Sequence, residues 1–407
     1  MKILFVCGAY PKGAEKTISE KCMRGCGIQN APNVFQWSVI DGLRSNDAIF
    51  DVVSFPFLPT FPFRYRSVYT EKYDMVCEGE KCGETIKYCT LMAAKAYSIK
   101  YRLRKYVKEW IEKNKDNEPQ LIVLIYQPLS YYLTALAPLK REYPNVSFAA
   151  IVTDLVDDAL NFKSNRGLLK RVQLKNEQRI IKAHYKYIDK FVLLTKYMEE
   201  RIPEAVGKNI VIEGICTTQD VIRLSNKNQK IKTLLYTGTL EEFAGVVDLV
   251  NAFLKIANPD FRLIICGAGT CASYIKQKAA MDSRIIFKGL VDRDEVVELQ
   301  KKSTIVINPR KPTEGITRYS FPSKTMEYLI SGTPMIGYKL PGIPEEYYPF
   351  FYTVDDCNEK TLIGVIEKTM SLTQDALDQK AMSAYRFIHE NKSSKAQMKR
   401  FLDFLAK

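Results

Sequence analysis

Five short apolar runs in the second half of the chain, separated by helix-length segments, constrain its fold more than any other feature. Thr233–Thr237, Arg262–Cys266, Ile285–Lys288, Thr304–Asn308 and Met335–Tyr338 have the size and make-up of buried strands. Between them, Val246–Ala257, Ala272–Ala280, Asp294–Lys301 and Ser323–Ser331 have the length and composition of helices. Strands that alternate with helices pair in parallel, because a parallel neighbour needs a crossover. A doubly wound sheet of this kind opens its ligand edge at the carboxyl ends of the strands. The first half repeats the pattern less cleanly. Its strands are expected at Lys2–Cys7, Leu121–Tyr126, Phe148–Thr153 and Phe191–Thr195, with helices at Val34–Arg44, Ala93–Lys113 and Leu168–Tyr187. Residues 217–232 are polar, lack a sustained apolar stripe and read as a linker. The expected fold class is therefore α/β, with two Rossmann-like domains over 1–216 and 233–380. The tail from Asp375 is helix-forming with a break near Asn391 to Ser394, and residues 381–407 are taken as a separate terminal helical segment.

A chain of 407 residues can bury two cores of ordinary size. Its ten cysteines are scattered; Cys22/Cys26 and Cys77/Cys82 are the close groupings away from strand ends, and neither has zinc-site spacing. A disulfide framework and a metal site are not expected, and the chain reads as cytoplasmic. The opening MKILFVCGAYP is too short in apolar residues for a signal peptide and suits a first buried strand. The net charge of +14 asks for an anionic partner. The first 200 residues hold 31 Lys and Arg against 22 Asp and Glu, so this half carries the larger share. Tyr97–Lys115 and Lys163–Lys190 concentrate it, with apolar residues set among the cations. Such helices either lie on an anionic membrane surface or pack an ordinary apolar stripe on the core. No nucleic-acid-binding motif accompanies the charge, so nucleic acid is not expected as a partner.

The strongest chemical signal runs from Thr304 to Tyr338, which reads strand, polar loop, helix, strand. Pro322 sets the φ of a helix's opening turn, and Gly332 and Pro334 mark its exit. The amides of Ser323 and Lys324 fall where no intrahelical acceptor exists. Those amides, the positive dipole end, the serine hydroxyl and the lysine ammonium converge on a site for a phosphate. Glu327, one turn on, suits sugar hydroxyls better than phosphate, since like charges repel. From spacing alone, a surface αβ unit with an ordinary Lys and Glu is the competing reading.

The segment SFPSKTMEYLISGTPMI, with NPR before it and LPGIPEEYYPF after it, resembles the donor-nucleotide segment of family 4 glycosyltransferases, in the subgroup that builds capsular and other surface polysaccharides. The match is specific over residues 304 to 350 and looser over the rest of the C-terminal half. The resemblance implies two Rossmann-like domains facing each other across a cleft (the GT-B fold), with the terminal helix crossing back onto the N-terminal domain. It also implies that Ser323 and Lys324 contact a donor diphosphate and that Glu327 holds the ribose hydroxyls.

Two departures stand out. Where the family has a Gly-Arg turn and then Lys-Gly gripping the pyrophosphate, this chain has Thr239 and Ala244. Arg310, Arg318 and Lys324 are the candidates to supply the missing charge, and Thr237, Gly238 and Thr239 to supply amides and hydroxyls; a plain strand–helix corner at Gly238 is the alternative. Of the family's two glutamates eight residues apart, the later matches Glu327, but position 319 is tyrosine, leaving Tyr319 and Ser320 as contacts and Glu314 as a distant substitute. Gly267 is read as cleft floor, with Leu290 and Val291 presented to a nucleobase. Gly8 and Gly13, leaving the first strand, would form the opposing wall or a plain turn. Asp154 follows a strand and is the candidate acceptor-side carboxylate, with Asp157 and Asp158 close by.

The reading these features support is a cytoplasmic glycosyltransferase, peripheral on the inner face of the membrane. It takes a nucleotide-sugar donor, a UDP-sugar in the first instance, and a glycan or lipid-linked glycan acceptor, without a metal or other cofactor. Asp154, Arg318 and Lys324 are the expected catalytic residues, and retention of configuration follows from the resemblance. A sugar-nucleotide epimerase on the same fold, and a catalytically silent partner of a transferase, are the alternatives.

Overall fold

The computed structural model describes residues 1–23, 27–155, 168–216, 230–313 and 316–406. Cys26, Asp157, Asp158, Glu314, the start of the second basic segment and most of the expected linker lie outside the described residues. The chain divides into two compact units, residues 1–215 with 394–407, and residues 216–393.

In the first unit, strands β1 (Lys2–Cys7), β2 (Ile49–Ser54), β3 (Asp74–Cys77), β4 (Glu80–Thr85), β5 (Leu121–Tyr126), β6 (Ser147–Val152), β7 (Lys190–Leu193) and β8 (Asn209–Val211) form one sheet in the order β3-β4-β2-β1-β5-β6-β7-β8. All pairings are parallel except the β3–β4 hairpin. Four of these strands were not expected. β2 carries Asp51 and starts exposed at Ile49, β3 and β4 are polar on one side, and β8 has three residues, so none presents a continuous apolar run. Helices α1 (Glu15–Glu20), α2 (Asn30–Arg44), α3 (Lys95–Asn114), α4 (Ser130–Glu142) and α5 (Leu168–His184) lie between them in sequence.

Helix α3 decides between the two readings of the first basic segment. Ile99, Leu103, Val107, Trp110 and Ile111 recur every three or four residues and are all buried, so the stripe faces the core. Apart from Lys95 at its start, the lysines and arginines point to solvent, together with Tyr97 and Tyr101, which are 73% and 62% exposed.

The second unit has a six-stranded, fully parallel sheet in the order β11-β10-β9-β12-β13-β14. Its strands are β9 (Lys232–Thr237), β10 (Phe261–Cys266), β11 (Ile285–Gly289), β12 (Ile305–Asn308), β13 (Met335–Tyr338) and β14 (Tyr352–Val354). The helices are α6 (Val246–Leu254), α7 (Ala272–Met281), α8 (Arg293–Lys302), α9 (Ile316–Tyr319), α10 (Ser323–Ile330), α11 (Glu359–Met370) and α12 (Gln374–Asn391). The expected boundary at 381 falls inside α12, which continues without a break to Asn391. The final helix, α13 (Ser394–Leu405), belongs to the first unit, where Met398, Phe401 and Leu405 join Trp37, Ile40 and Leu43 of α2 in one core. Gly42 permits this approach, since a Cβ there would lie 2.4 Å from Met398 Cγ.

Candidate active site

The carboxyl ends of β9, β10, β11 and β12 meet at a corner built largely of glycine. Gly267 has φ +146°, and a Cβ there would sit 1.8 Å from the Gly238 carbonyl oxygen. A Cβ on Gly269 would strike the Leu240 carbonyl at 2.4 Å. The loops are laced by main-chain bonds: Gly238 N donates to Cys266 O at 3.0 Å, Leu240 N to Ala268 O at 3.0 Å, and Gly267 N to Gly289 O at 2.7 Å. Gly245, at φ +77°, completes the corner, because its missing side chain admits the Pro309 carbonyl that a Cβ would meet at 2.1 Å. That contact brings the residue after Pro309 against the β9–α6 loop.

The residue is Arg310. Its guanidinium lies over Phe243, 5.7 Å from the ring centre. It is half-buried, and no carboxylate pairs with it among the described residues. Burial pushes its pKa down, opposed by the Tyr236 phenol. A desolvated cation without a counter-ion is a prepared site for an anion.

Helix α10 begins at the same edge. Its N-cap is Pro322, one position earlier than the sequence reading places that proline, and no side chain caps the helix. The open amides are those of Ser323 and Lys324. Two contacts anchor the helix to the strand ends: Asn308 Nδ2 donates to Thr325 Oγ1 at 3.4 Å, and Tyr328 Oη accepts from Thr237 N at 2.9 Å while donating to Thr237 O at 3.0 Å. This second contact corrects one expectation. The main-chain groups of Thr237 are taken by Tyr328, whose phenol also lies 3.1 Å from the Thr237 hydroxyl.

Lys324 and Glu327 also depart from the expected arrangement. Lys324 Nζ donates to both Glu327 oxygens, at 2.9 and 2.8 Å, and Gln300 Nε2 donates to Oε1 at 2.8 Å. The expected phosphate ligand and the expected sugar ligand are thus bonded to each other. The pair is partly open to solvent, so it exchanges partners at small cost.

The remaining expected residues are spread around this edge or lie elsewhere. Thr239 is exposed, and its carbonyl accepts from Tyr236 Oη at 2.7 Å. Leu290 is 82% exposed and Val291 half-buried after β11. Tyr319 is 7% exposed, which turns it inward; Arg318 and Ser320 are half-buried beside it. Their loop is clamped by Gly342, whose amide donates to Thr317 O at 2.7 Å and whose Cβ would meet Ser320 O at 2.2 Å. In the first unit, Gly8 is buried and its amide is used by Gln36 Oε1 at 2.6 Å, whereas Gly13 forms an open turn at φ +84°. Gly8 therefore does not offer its amide to a ligand. No group of three metal-ligating side chains occurs among the described residues.

A second hollow, wholly within the first unit, has a volume of about 340 Å³ at the ends of β5 and β6. Asp154 lines it, with Lys95, Tyr126, Gln127, Tyr131 and Thr153. Crowding by the surrounding protein raises the Asp154 pKa, although the residue keeps an open face, and a Thr153 hydroxyl bond at 3.3 Å opposes the shift. Gln127 adopts φ +61°, a left-handed conformation rare outside glycine. Its side chain holds it there: Oε1 accepts from Thr153 N and Oγ1 at 3.0 Å, and Nε2 donates to Asp154 O at 2.8 Å. Sequence reasoning missed Gln127 and Lys95. The available signal was a polar residue and a proline directly after the apolar run LIVLIY.

The comparisons with known proteins point to glycosyl transfer. Residues 231–367 match the family model described as Glycosyl transferases group 1. The whole chain has the GT-B fold of solved glycosyltransferases. These include sucrose-phosphate synthase from Thermosynechococcus elongatus, at 14% identity and a TM-score of 0.63 over 100% of this chain and 99% of that one. Lipopolysaccharide outer core galactosyltransferase WaaB in its apo form matches at 14% identity and a TM-score of 0.59, with the same coverage. A S. aureus TarM mutant in complex with fondaparinux, alpha-GlcNAc-glycerol and UDP matches at 10% identity and 0.60 over all of both chains. No curated protein matches the sequence. The chain is a glycosyltransferase whose C-terminal unit carries the group 1 domain.

Proposed function

We propose that this enzyme transfers a sugar from a nucleotide-sugar, a UDP-sugar in the first instance, to a glycan or lipid-linked glycan acceptor in surface polysaccharide synthesis. The observation that carries the reading is the half-buried Arg310 with no carboxylate partner among the described residues, seated at the glycine corner of the domain that also holds the uncapped start of α10. The UDP named in the TarM complex supports the choice of nucleotide. Charge builds on the β-phosphate as the glycosidic bond breaks. Arg310, the α10 amides, and Lys324 once it has left Glu327 would stabilise that charge without a metal ion. Arg318 adds a further cation on the neighbouring loop. Glu327, released from Lys324, would accept the ribose hydroxyls. Asp154 positions the acceptor, and the leaving phosphate assists its deprotonation, which gives retention of configuration.

Membrane contact, on this reading, does not use the apolar stripe of α3, which is buried. It uses exposed Phe63, Met92, Tyr97 and Tyr101 with the exposed cations Lys100, Arg102, Arg104 and Lys105. No helix among the described residues is long and apolar enough to cross a membrane.

The test is a metal-free calorimetric titration with UDP, GDP and CMP on the wild type and on Glu327→Ala. Micromolar binding of UDP alone, weakened in the variant, is expected. Absence of binding by all three nucleotides would refute the donor assignment. Flotation with vesicles containing anionic lipid tests the membrane contact, and no association at low salt would remove it.

A further inference from the structure

The hollow in the first unit contains a cation that nothing in the donor reading uses. Lys95, at the start of α3, is half-buried, and its Nζ donates to Leu58 O at 2.5 Å. That bond occupies one of three ammonium protons. No carboxylate lies within ion-pair distance among the described residues, and Asp154, which lines the same hollow, makes no pair with it. Burial alone lowers its pKa to about 8. The charge is thus held in the folded protein without compensation, a state that an incoming anion would relieve.

Two further features of the hollow that Lys95 lines favour an anion there. Leu129 and Tyr131 line it, and Leu129 is the N-cap of the 13-residue helix α4, which has no side-chain cap and so leaves its first amides open. Gln127 is fixed in its left-handed conformation by four hydrogen bonds to Thr153 and Asp154, counting its main contacts at 2.8 to 3.3 Å, which sets the wall before any ligand arrives. The volume of about 340 Å³ suits a single sugar-sized group rather than a chain. The other ionisable groups facing the hollow are Asp154 and the phenols of Tyr126 and Tyr131, which burial keeps protonated well above neutral pH.

We infer that this hollow binds the phosphate-bearing end of the acceptor, with Lys95 and the start of α4 holding the phosphate and Asp154 facing an acceptor hydroxyl. The inference rests on the glycosyltransferase reading for the word acceptor; the phosphate site itself stands on the geometry. Lys95 acts as a specificity residue. It selects acceptors that carry a phosphate ester, whether a soluble sugar phosphate or the diphosphate of a lipid carrier.

The experiment is calorimetry on the full chain with glucose 6-phosphate, farnesyl diphosphate and neutral glucose, at pH 7 and pH 9.5. Wild type should bind a phosphate ester at least ten-fold more tightly than glucose at pH 7. Which ester binds identifies the source of the phosphate. Binding should weaken at pH 9.5, because a lysine with a pKa of about 8 is charged below that value and neutral above it, while the phosphate keeps its charge. Lys95→Met should lower affinity at least ten-fold. Lys95→Arg should keep it within a few-fold and lose the pH dependence, since a guanidinium stays charged throughout. Equal binding of glucose and glucose 6-phosphate, no binding of either ester at millimolar concentration, or unchanged affinity in Lys95→Met would each overturn the proposal. UDP titrated into the same three proteins separates the two readings. Failure of UDP to bind anywhere counts against the donor assignment and leaves the phosphate result standing.

Discussion

Replacing Arg310 with methionine tests the corner most directly, because it predicts opposite effects on binding and on stability. Methionine keeps an unbranched apolar stem over Phe243 and removes the charge. A charge-assisted hydrogen bond is worth about 1.5–3 kcal/mol net. For most cations part of this value is lost because the cation itself must leave water on binding. Arg310 is half-buried in the unliganded protein, so part of that cost has already been met before UDP arrives. The range therefore applies, and at about 1.4 kcal/mol per decade it corresponds to a roughly 10- to 150-fold rise in the Kd for UDP. Lys324→Ala should weaken ground-state binding less, under about ten-fold, because Lys324 exchanges the Glu327 carboxylate for a phosphate. Stability should move the other way. An unpaired buried charge opposes folding, so the urea midpoint of Arg310→Met should equal or exceed that of the wild type. Calorimetry with UDP and urea unfolding, on the same preparations, give both numbers. Unchanged UDP affinity, or a loss of stability with binding intact, would show that Arg310 is a structural residue and that the corner does not hold a phosphate.

Glu327→Ala frees Lys324 while removing the ribose acceptor, so UDP should bind about ten-fold more weakly and inorganic pyrophosphate somewhat more tightly; parallel weakening of both would refute these separate roles. Lys324→Ala should reduce turnover at least ten-fold in a UDP-release assay, roughly the minimum for a lost charge contact in the transition state, and wild-type turnover would remove it from the catalytic set. Tyr328→Phe leaves the buried Thr237 amide without an acceptor and should cost about 1–3 kcal/mol in urea unfolding. Gly267→Ala forces a Cβ toward the Gly238 carbonyl at φ +146° and should cost about 1–3 kcal/mol from backbone strain alone, with loss of UDP binding as the corner opens; a variant of normal stability and affinity would mean that the corner is not tightly built.

The C-terminal unit was legible because its signals are local. Each of β9 to β13 is an apolar run whose limits are set by neighbouring polar residues, and the exit of α10 is marked by Gly332 and Pro334 within four residues of Ile330. Pairing partners and electrostatic partners are not local. β2, β4 and β8 complete a sheet whose central strands supply the apolar surface, so their own sequences need little of it. The Lys324–Glu327 bond lay at a visible spacing of three residues, yet their expected separate ligands concealed it. Lys95 and Gln127 were invisible for the same reason. One is a lysine among many in a basic helix, and the other owes its strained backbone to bonds with residues 26 and 27 positions away. The departures at Thr239 and Ala244 show most clearly what sequence comparison by position leaves out. Read along the chain, two phosphate-gripping cations are missing. In the folded domain, Gly245 has no side chain to keep Pro309 away, and Arg310 follows it to lie over Phe243 of the same loop, where on the proposed reading it replaces those cations. Charge at the site depends on which strand end lies beside which loop, so a cation lost from the β9–α6 loop can be supplied from the end of β12.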